Sequence, residues 1–219
     1  MQKKQVALFD FDGTMIKGDS IAGFVRYCFA RGVLPLSGLL SVLIMTLLWK
    51  AGFVAVEKVK SLALSPLQSM DEASSQALCR QFVNEQLLPR IYPDALAQIR
   101  RHDKAGHIVL LVSASPFCYL QYLQNTLPFD GIIGTQTDGN WQIIKNVVRE
   151  EKKRQILHFM EQHQIEPDWK RSFSYGDSAN DLVMLHMAGF RFLVNPKRNV
   201  RRKGKDIPIK YWGKKARKS

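Results

Sequence analysis

The sequence predicts an α/β fold: a doubly wound, mostly parallel sheet that carries an inserted all-helical cap. Three observations lead there. An apolar run, Val6-Ala7-Leu8-Phe9, gives way to Asp10-Phe11-Asp12-Gly13-Thr14, as a buried strand does when it runs out into a glycine turn. Four helical patterns then follow with no strand among them. From about residue 93 onward helix and strand alternate, the pattern of parallel strands joined by crossover helices. With 219 residues and 46% hydrophobic content, the chain has enough material for one sizeable core and an inserted lobe.

The first four helical patterns lie at about 20–31, 36–49, 53–64 and 70–88, and Pro89 and Pro93 bracket their exit. A helix over about 93–105 stops at Gly106, a residue suited to the position after a helix. Residues 108–112 are continuously apolar, as expected of a strand covered on both faces, and 116–127 read as the helix that follows. Residues 131–135 and 141–144 flank Asp138-Gly139-Asn140 and read as a hairpin. A helix over about 150–163, a strand at 173–175, a helix over about 179–188 and a strand at 190–194 complete the set. This divides the chain into an α/β core (1–17 with 89–196), a helical cap (18–88) and a basic tail (197–219).

The net charge of +13 is concentrated at one end. Residues 197–219 hold eleven Lys or Arg against one acid, Asp206, which leaves about +3 for everything before them. Such a tail is either simply solvated or faces an anionic partner. Nucleic acid is a poor candidate, because the four tryptophans are scattered and form no base-stacking platform; lipid headgroups suit it better. Residues 33–49 carry no charge, and Leu36, Leu40, Leu43 and Leu47 recur at helical spacing between Arg31 and Lys50. At about 17 residues the stretch sits at the bottom of the spanning range, so it either enters a bilayer or packs inside the lobe. Cys28, Cys79 and Cys118 are isolated in apolar surroundings and read as inert thiols. The N-terminus lacks the apolar run of a secretory signal, so the expected setting is cytoplasmic, with the inner face of the membrane as the place of any lipid contact.

The chemistry gathers at strand ends. Asp10 and Asp12 share a face of an extended segment, and two carboxylates so close call for a cation between them. Ser113 follows the 108–112 strand, where its hydroxyl and neighbouring amides suit an anion. Asp177 and Asp181, in Gly176-Asp177-Ser178-Ala179-Asn180-Asp181, add two more acids after the 173–175 strand, although taken alone they read equally well as helix caps. Lys152 opens a helix and offers a point charge. The five histidines show no metal-ligand spacing and receive no role.

Taken together and in this order, Asp10-Phe11-Asp12-Gly13-Thr14, Ser113, Lys152 and Gly176-Asp177 through Asp181 resemble the motifs of the haloacid dehalogenase superfamily of phosphohydrolases. The resemblance implies that Asp10 is the nucleophile that becomes an aspartyl-phosphate and that Asp12 is the acid and base for the leaving oxygen and the attacking water. It further implies Mg²⁺ held by the carboxylates of Asp10 and Asp177 and the backbone carbonyl of Asp12, with Asp181 orienting that shell. Gly13 or Thr14, Ser113 and Lys152 would hold the phosphoryl oxygens. Asp12 points to phosphoryl rather than dehalogenase chemistry, since a halide leaving group needs no proton. The lysine motif departs from the family, with Arg149 in place of a glycine and Lys153 directly beside Lys152.

A helical insertion after the first motif is similar to the phosphoserine-phosphatase-like branch. Where phosphoserine phosphatases place a glutamate that meets the substrate ammonium, this chain has the shorter Asp19, expected to select substrate from the cap. The uncharged stretch and the basic tail instead look similar to the phosphatidylglycerophosphatase C type, whose resemblance implies a lipid headgroup phosphate as substrate. The expectation is an Mg²⁺-dependent phosphomonoesterase acting on a lipid phosphate. Its alternatives are a soluble metabolite such as phosphoserine, or a non-catalytic protein that binds an anionic surface or nucleic acid through the tail.

Overall fold

The computed structural model describes residues 3–213. Seven strands form one sheet: β1 (Val6–Phe9), β2 (Ile108–Pro116), β3 (Gly131–Thr137), β4 (Ile143–Lys145), β5 (Phe173–Gly176), β6 (Phe190–Val194) and β7 (Ile209–Lys210). Their order is β4-β3-β2-β1-β5-β6-β7, and every pair is parallel except the β3–β4 hairpin. All four residues of β1 are fully buried, which is why its sequence is continuously apolar rather than alternating. Chain order reverses around β1, with β2 and β3 on one side and β5 and β6 on the other. A parallel sheet opens its crevice at such a point, outside the carboxyl ends of the strands.

Register decides what meets there. Phe9 pairs with Leu111 on one side and Tyr175 on the other, so Asp10 comes level with Val112 and Gly176, one step before Ser113 and Asp177. Three segments far apart in sequence thus end together.

Helices α1 (Ser20–Ala30), α2 (Leu36–Lys50), α3 (Val56–Ala63) and α4 (Glu72–Phe82) lie between β1 and β2, followed by α5 (Pro93–Lys104). Phe24 of α1 and Phe82 of α4 pack against Tyr119 with ring centroids 5.6 and 5.3 Å away, so the insertion shares a core with the sheet. The opposite face of the sheet is covered by α7 (Glu150–Gln162), whose Ile156 and Met160 meet Val6, Leu8, Leu110 and Val112.

Several elements differ from the sequence reading. α4 stops at Phe82 and continues as a wider turn over Val83–Leu87 and a tight one over Leu88–Arg90, because Pro89 supplies no amide to carry the helix on. β2 runs four residues further than expected, to Pro116, leaving only Phe117–Leu120 as α6 before a 3₁₀ turn. The helix expected at 179–188 shrinks to α8 (Leu182–Leu185). α2 neither packs inside the lobe nor reaches across a bilayer. Only Val42 of its residues is buried, and among the described residues no helix is long and apolar enough to cross a membrane.

Residues read as the start of a basic tail are folded instead. α9 (Arg198–Lys203) and β7 extend the sheet beside β6, with Val200, Ile207 and Trp212 buried. The Asn195 side chain clamps Trp212 by donating to its carbonyl at 3.1 Å and accepting from its amide at 3.2 Å. Lys214, Lys215, Arg217 and Lys218 lie outside the described residues. Cys28 and Cys79 are buried, Cys118 is half-buried and all three are free, as the sequence leads one to expect; burial pushes the Cys28 thiol up to about 12.

Candidate active site

Where β1, β2 and β5 end, an open cleft of about 730 Å³ is walled by Asp10, Asp12, Ser113, Lys152, Asp177 and Asp181 from the sheet side. Asp19 and Lys60 reach it from the insertion, and Asn195, Lys197 and Trp212 from the C-terminal segment.

Lys152 is the hub. Its side chain, 1% exposed, donates to Asp10 Oδ1 at 2.7 Å, to Asp181 Oδ1 at 2.6 Å and to the Val112 carbonyl at 2.9 Å. Burial alone would lower the ammonium's pKa, but the two carboxylates outweigh it and hold the group charged well above the usual lysine range. Lys153 is exposed, so the structure separates these neighbours.

Asp10, Asp177 and Asp181 present oxygens that all lie within 4.8 Å of one another. Burial, then the Asp181 charge, raises Asp10 to about 6 against the pull of Lys152 and Thr14. Asp177 is raised to about 8 by burial and by the charges of Asp10 and Asp181. No described donor hydrogen-bonds the Asp177 carboxylate. A cluster of three hard oxygen donors with one member unpartnered fits a divalent cation such as Mg²⁺. Gly13 makes room for it: its backbone lies at φ +81°, and a Cβ there would overlap the Asp177 carboxylate.

Asp12 faces the other way, toward the insertion. Its Oδ1 accepts from the Ser20 amide at 2.8 Å, and its Oδ2 accepts from Ser20 Oγ at 2.9 Å and from Ser115 Oγ. Ser20 Oγ also lies 2.9 Å from the Tyr119 hydroxyl, closing a buried hydroxyl cage. Burial, then the nearby Asp19 charge, raises Asp12 to about 7 despite these donors, so it holds its proton near neutrality.

Of the two residues expected to hold phosphoryl oxygens, Gly13 donates its amide to the Ile16 carbonyl at 2.9 Å, and the wholly buried Thr14 hydroxyl donates to Asp10 Oδ2 at 3.0 Å. They shape the loop and fix the Asp10 carboxylate. Ser113 lines the cleft, its Oγ accepting from the Ser115 amide at 3.1 Å. Asp19 caps α1 by accepting from the Ala22 amide at 3.1 Å and also borders the cleft.

Sequence reasoning missed Ser20, Ser115 and Lys60. Ser115 lies two residues beyond Ser113 on the same face of β2 and was legible from that alternation. Ser20 sits directly after Asp19 but reaches Asp12 only through the fold of the 12–20 loop. Lys60 Nζ donates to the Ala114 carbonyl and to Asn146 Oδ1, both at 2.7 Å, and Asn146 in turn donates to Glu57. Burial lowers its pKa to about 8, against Asp19, Glu57 and Asp12. Nothing in its local sequence separates it from a solvated helical lysine.

Residues 7–186 match the family model described as haloacid dehalogenase-like hydrolase. A histidinol-phosphatase of Neisseria meningitidis serogroup C is 24% identical over 93% of this chain and 96% of its own. A phosphoserine phosphatase of Mycobacterium tuberculosis is 25% identical over 89% of this chain and 66% of its own. Among solved structures, a protein of unknown function from Bordetella pertussis Tohama I superposes with a TM-score of 0.83 at 18% identity, covering 95% of this chain and 98% of that one. The chain belongs to the haloacid dehalogenase-like hydrolases.

Proposed function

We propose that the protein hydrolyses a phosphomonoester through an aspartyl-phosphate formed on Asp10, with Mg²⁺ as its cofactor. The observation that carries this is the convergence of Asp10, Asp177 and Asp181 on one side of the cleft while Asp12 stands apart in its hydroxyl cage. Thr14 and Lys152 grip both oxygens of Asp10 and fix its carboxylate for in-line attack on phosphorus. Asp12, protonated near neutrality, gives its proton to the departing alcohol oxygen; the resulting carboxylate then takes one from the water that cleaves the acyl-phosphate. The carboxylates of Asp10 and Asp177 and the backbone carbonyl of Asp12 would hold Mg²⁺, with Asp181 orienting Lys152 and that shell. When bound, Mg²⁺ offsets the negative charge of the phosphoryl oxygens.

The helical insertion over 18–88 acts as the cap, and Asp19 and Lys60 face the leaving group from it. A substrate bearing an ammonium would meet Asp19, in keeping with relatives named for histidinol and phosphoserine phosphates. A lipid phosphate is the second reading, favoured by the exposed apolar face of α2. Turnover of p-nitrophenyl phosphate tests the proposal. Hydrolysis should require added Mg²⁺ and fall at least about a thousandfold in Asp10→Asn. Activity in excess chelator, or in that variant, would defeat it. Phosphoserine, histidinol phosphate and a lipid phosphate monoester, compared by kcat/KM, then rank the substrates.

A further inference from the structure

Catalysis leaves α2 and the turn beyond it without a role. Leu36, Leu40, Leu43, Ile44 and Leu47 are each between 49% and 65% exposed, and Phe53 at the turn is 79% exposed. At about 100° per residue these leucines and Ile44, with Leu48, fill a continuous outward arc of about 140°. That inverts the usual arrangement, in which a helix turns its apolar side to the core, and a contiguous face of this kind marks an interaction surface.

Three features say what covers it. No charged side chain occurs between Gly32 and Trp49. Ser41 Oγ donates to the Ser37 carbonyl at 2.9 Å and Thr46 Oγ1 to the Val42 carbonyl at 2.7 Å, so these hydroxyls are satisfied within the helix and do not require water. The rim is cationic: Lys50 and Lys58 are exposed, and neither is paired with an acid among the described residues. Glu57, the one acid between residues 32 and 60, is turned inward and accepts from Asn146 at 2.7 Å. A second copy docked by this same face would bring no outward acid to meet these cations. A lipid surface with anionic headgroups matches both the apolar arc and its rim.

We propose that the α2–α3 hairpin docks on an anionic lipid surface, with its apolar edge seated in one leaflet. Its fifteen residues make α2 about 22 Å long, short of the roughly 30 Å hydrocarbon core, so the helix lies in the interface and does not cross. Trp49, 42% exposed at the end of α2, sits where interfacial tryptophans belong. α3, the second leg of the hairpin, carries Lys60 into the catalytic cleft, so docking brings the cap wall of the cleft to the lipid surface. This goes beyond the hydrolytic reading and stands without it.

Flotation of the full chain with phosphatidylcholine vesicles, with and without phosphatidylglycerol, tests the proposal against the variant Leu43→Gln/Leu47→Gln. Both side chains are exposed, so the variant should keep the wild-type melting temperature and its turnover of p-nitrophenyl phosphate. Wild type should float with the anionic vesicles, and the variant's bound fraction should drop at least about tenfold. A wild-type chain that stays unbound overturns the proposal. So does a variant that floats as well as wild type, which would assign binding to basic residues alone. A dimer that the variant dissociates, with no flotation, would give the face to a second copy and equally overturn it.

Discussion

Arg149 carries the clearest local strain near the site. It precedes α7 with φ 49°, a region that favours glycine, and its guanidinium Nε donates to Asn180 at 3.1 Å on the exposed side of the site. Glycine would relax the backbone at the loss of one exposed hydrogen bond. Arg149→Gly should therefore raise unfolding stability by about 1 kcal/mol in urea titration, and an equal loss would show that the side chain outweighs the strain. The departure from the family motif noticed in the sequence thus marks a real backbone requirement. Identifying Lys152 over Lys153 took more than the motif. One residue along a helix turns a side chain by about 100°, and only the packing of α7 on β2 shows which lysine enters the crevice.

Among the elements, the contact of α5 with β5 holds a buried titratable group. His102 lies between Tyr175, whose hydroxyl is 3.0 Å from its Nε2, and His107, whose Nδ1 is 2.9 Å from its Nδ1. Burial first, then His107 and Arg101, lowers its pKa to about 4, so the folded protein keeps the ring neutral. A group whose folded pKa is depressed below its unfolded value contributes stability above the unfolded value of about 6.5 and loses it toward about 4. Wild type should lose about 1–2 kcal/mol more than His102→Gln between about pH 7 and about pH 5, measured by urea unfolding. Parallel pH profiles would remove His102 from the account.

The continuously apolar β1 and the helices α1, α2, α5 and α7 were legible because a single local rule decides each. The short ones were not. β2 extends past Val112 because β3 pairs with it as far as Pro116, and β7 exists only because β6 offers it an edge. Such pairings are tertiary facts that no window of sequence contains.

Across the whole molecule, the charge that made 197–219 look like a tail hid its packing. Val200, Ile207 and Trp212 are widely spaced among lysines and arginines, and their burial depends on the edge of the sheet and on Tyr92, against which Gly213 lies. Truncation before Lys197 should therefore lower unfolding stability by several kcal/mol and open the cleft. A truncated chain that melts with the wild type would mean that α9 and β7 add nothing to the fold.

The aspartates were legible for the opposite reason, since each follows directly on an apolar run that reads as a strand; register then brings the ends of β1 and β5 together. Phosphoryl-enzyme trapping tests that convergence most directly. With p-nitrophenyl phosphate the leaving group needs no proton, so in Asp12→Asn the first step proceeds while hydrolysis of the acyl-phosphate slows. Acid quench and peptide mass analysis of that variant in Mg²⁺ should find the phosphoryl group on Asp10, accumulating above the wild-type level. Phosphate on any other residue, or turnover with Asp10 never modified, would contradict the account.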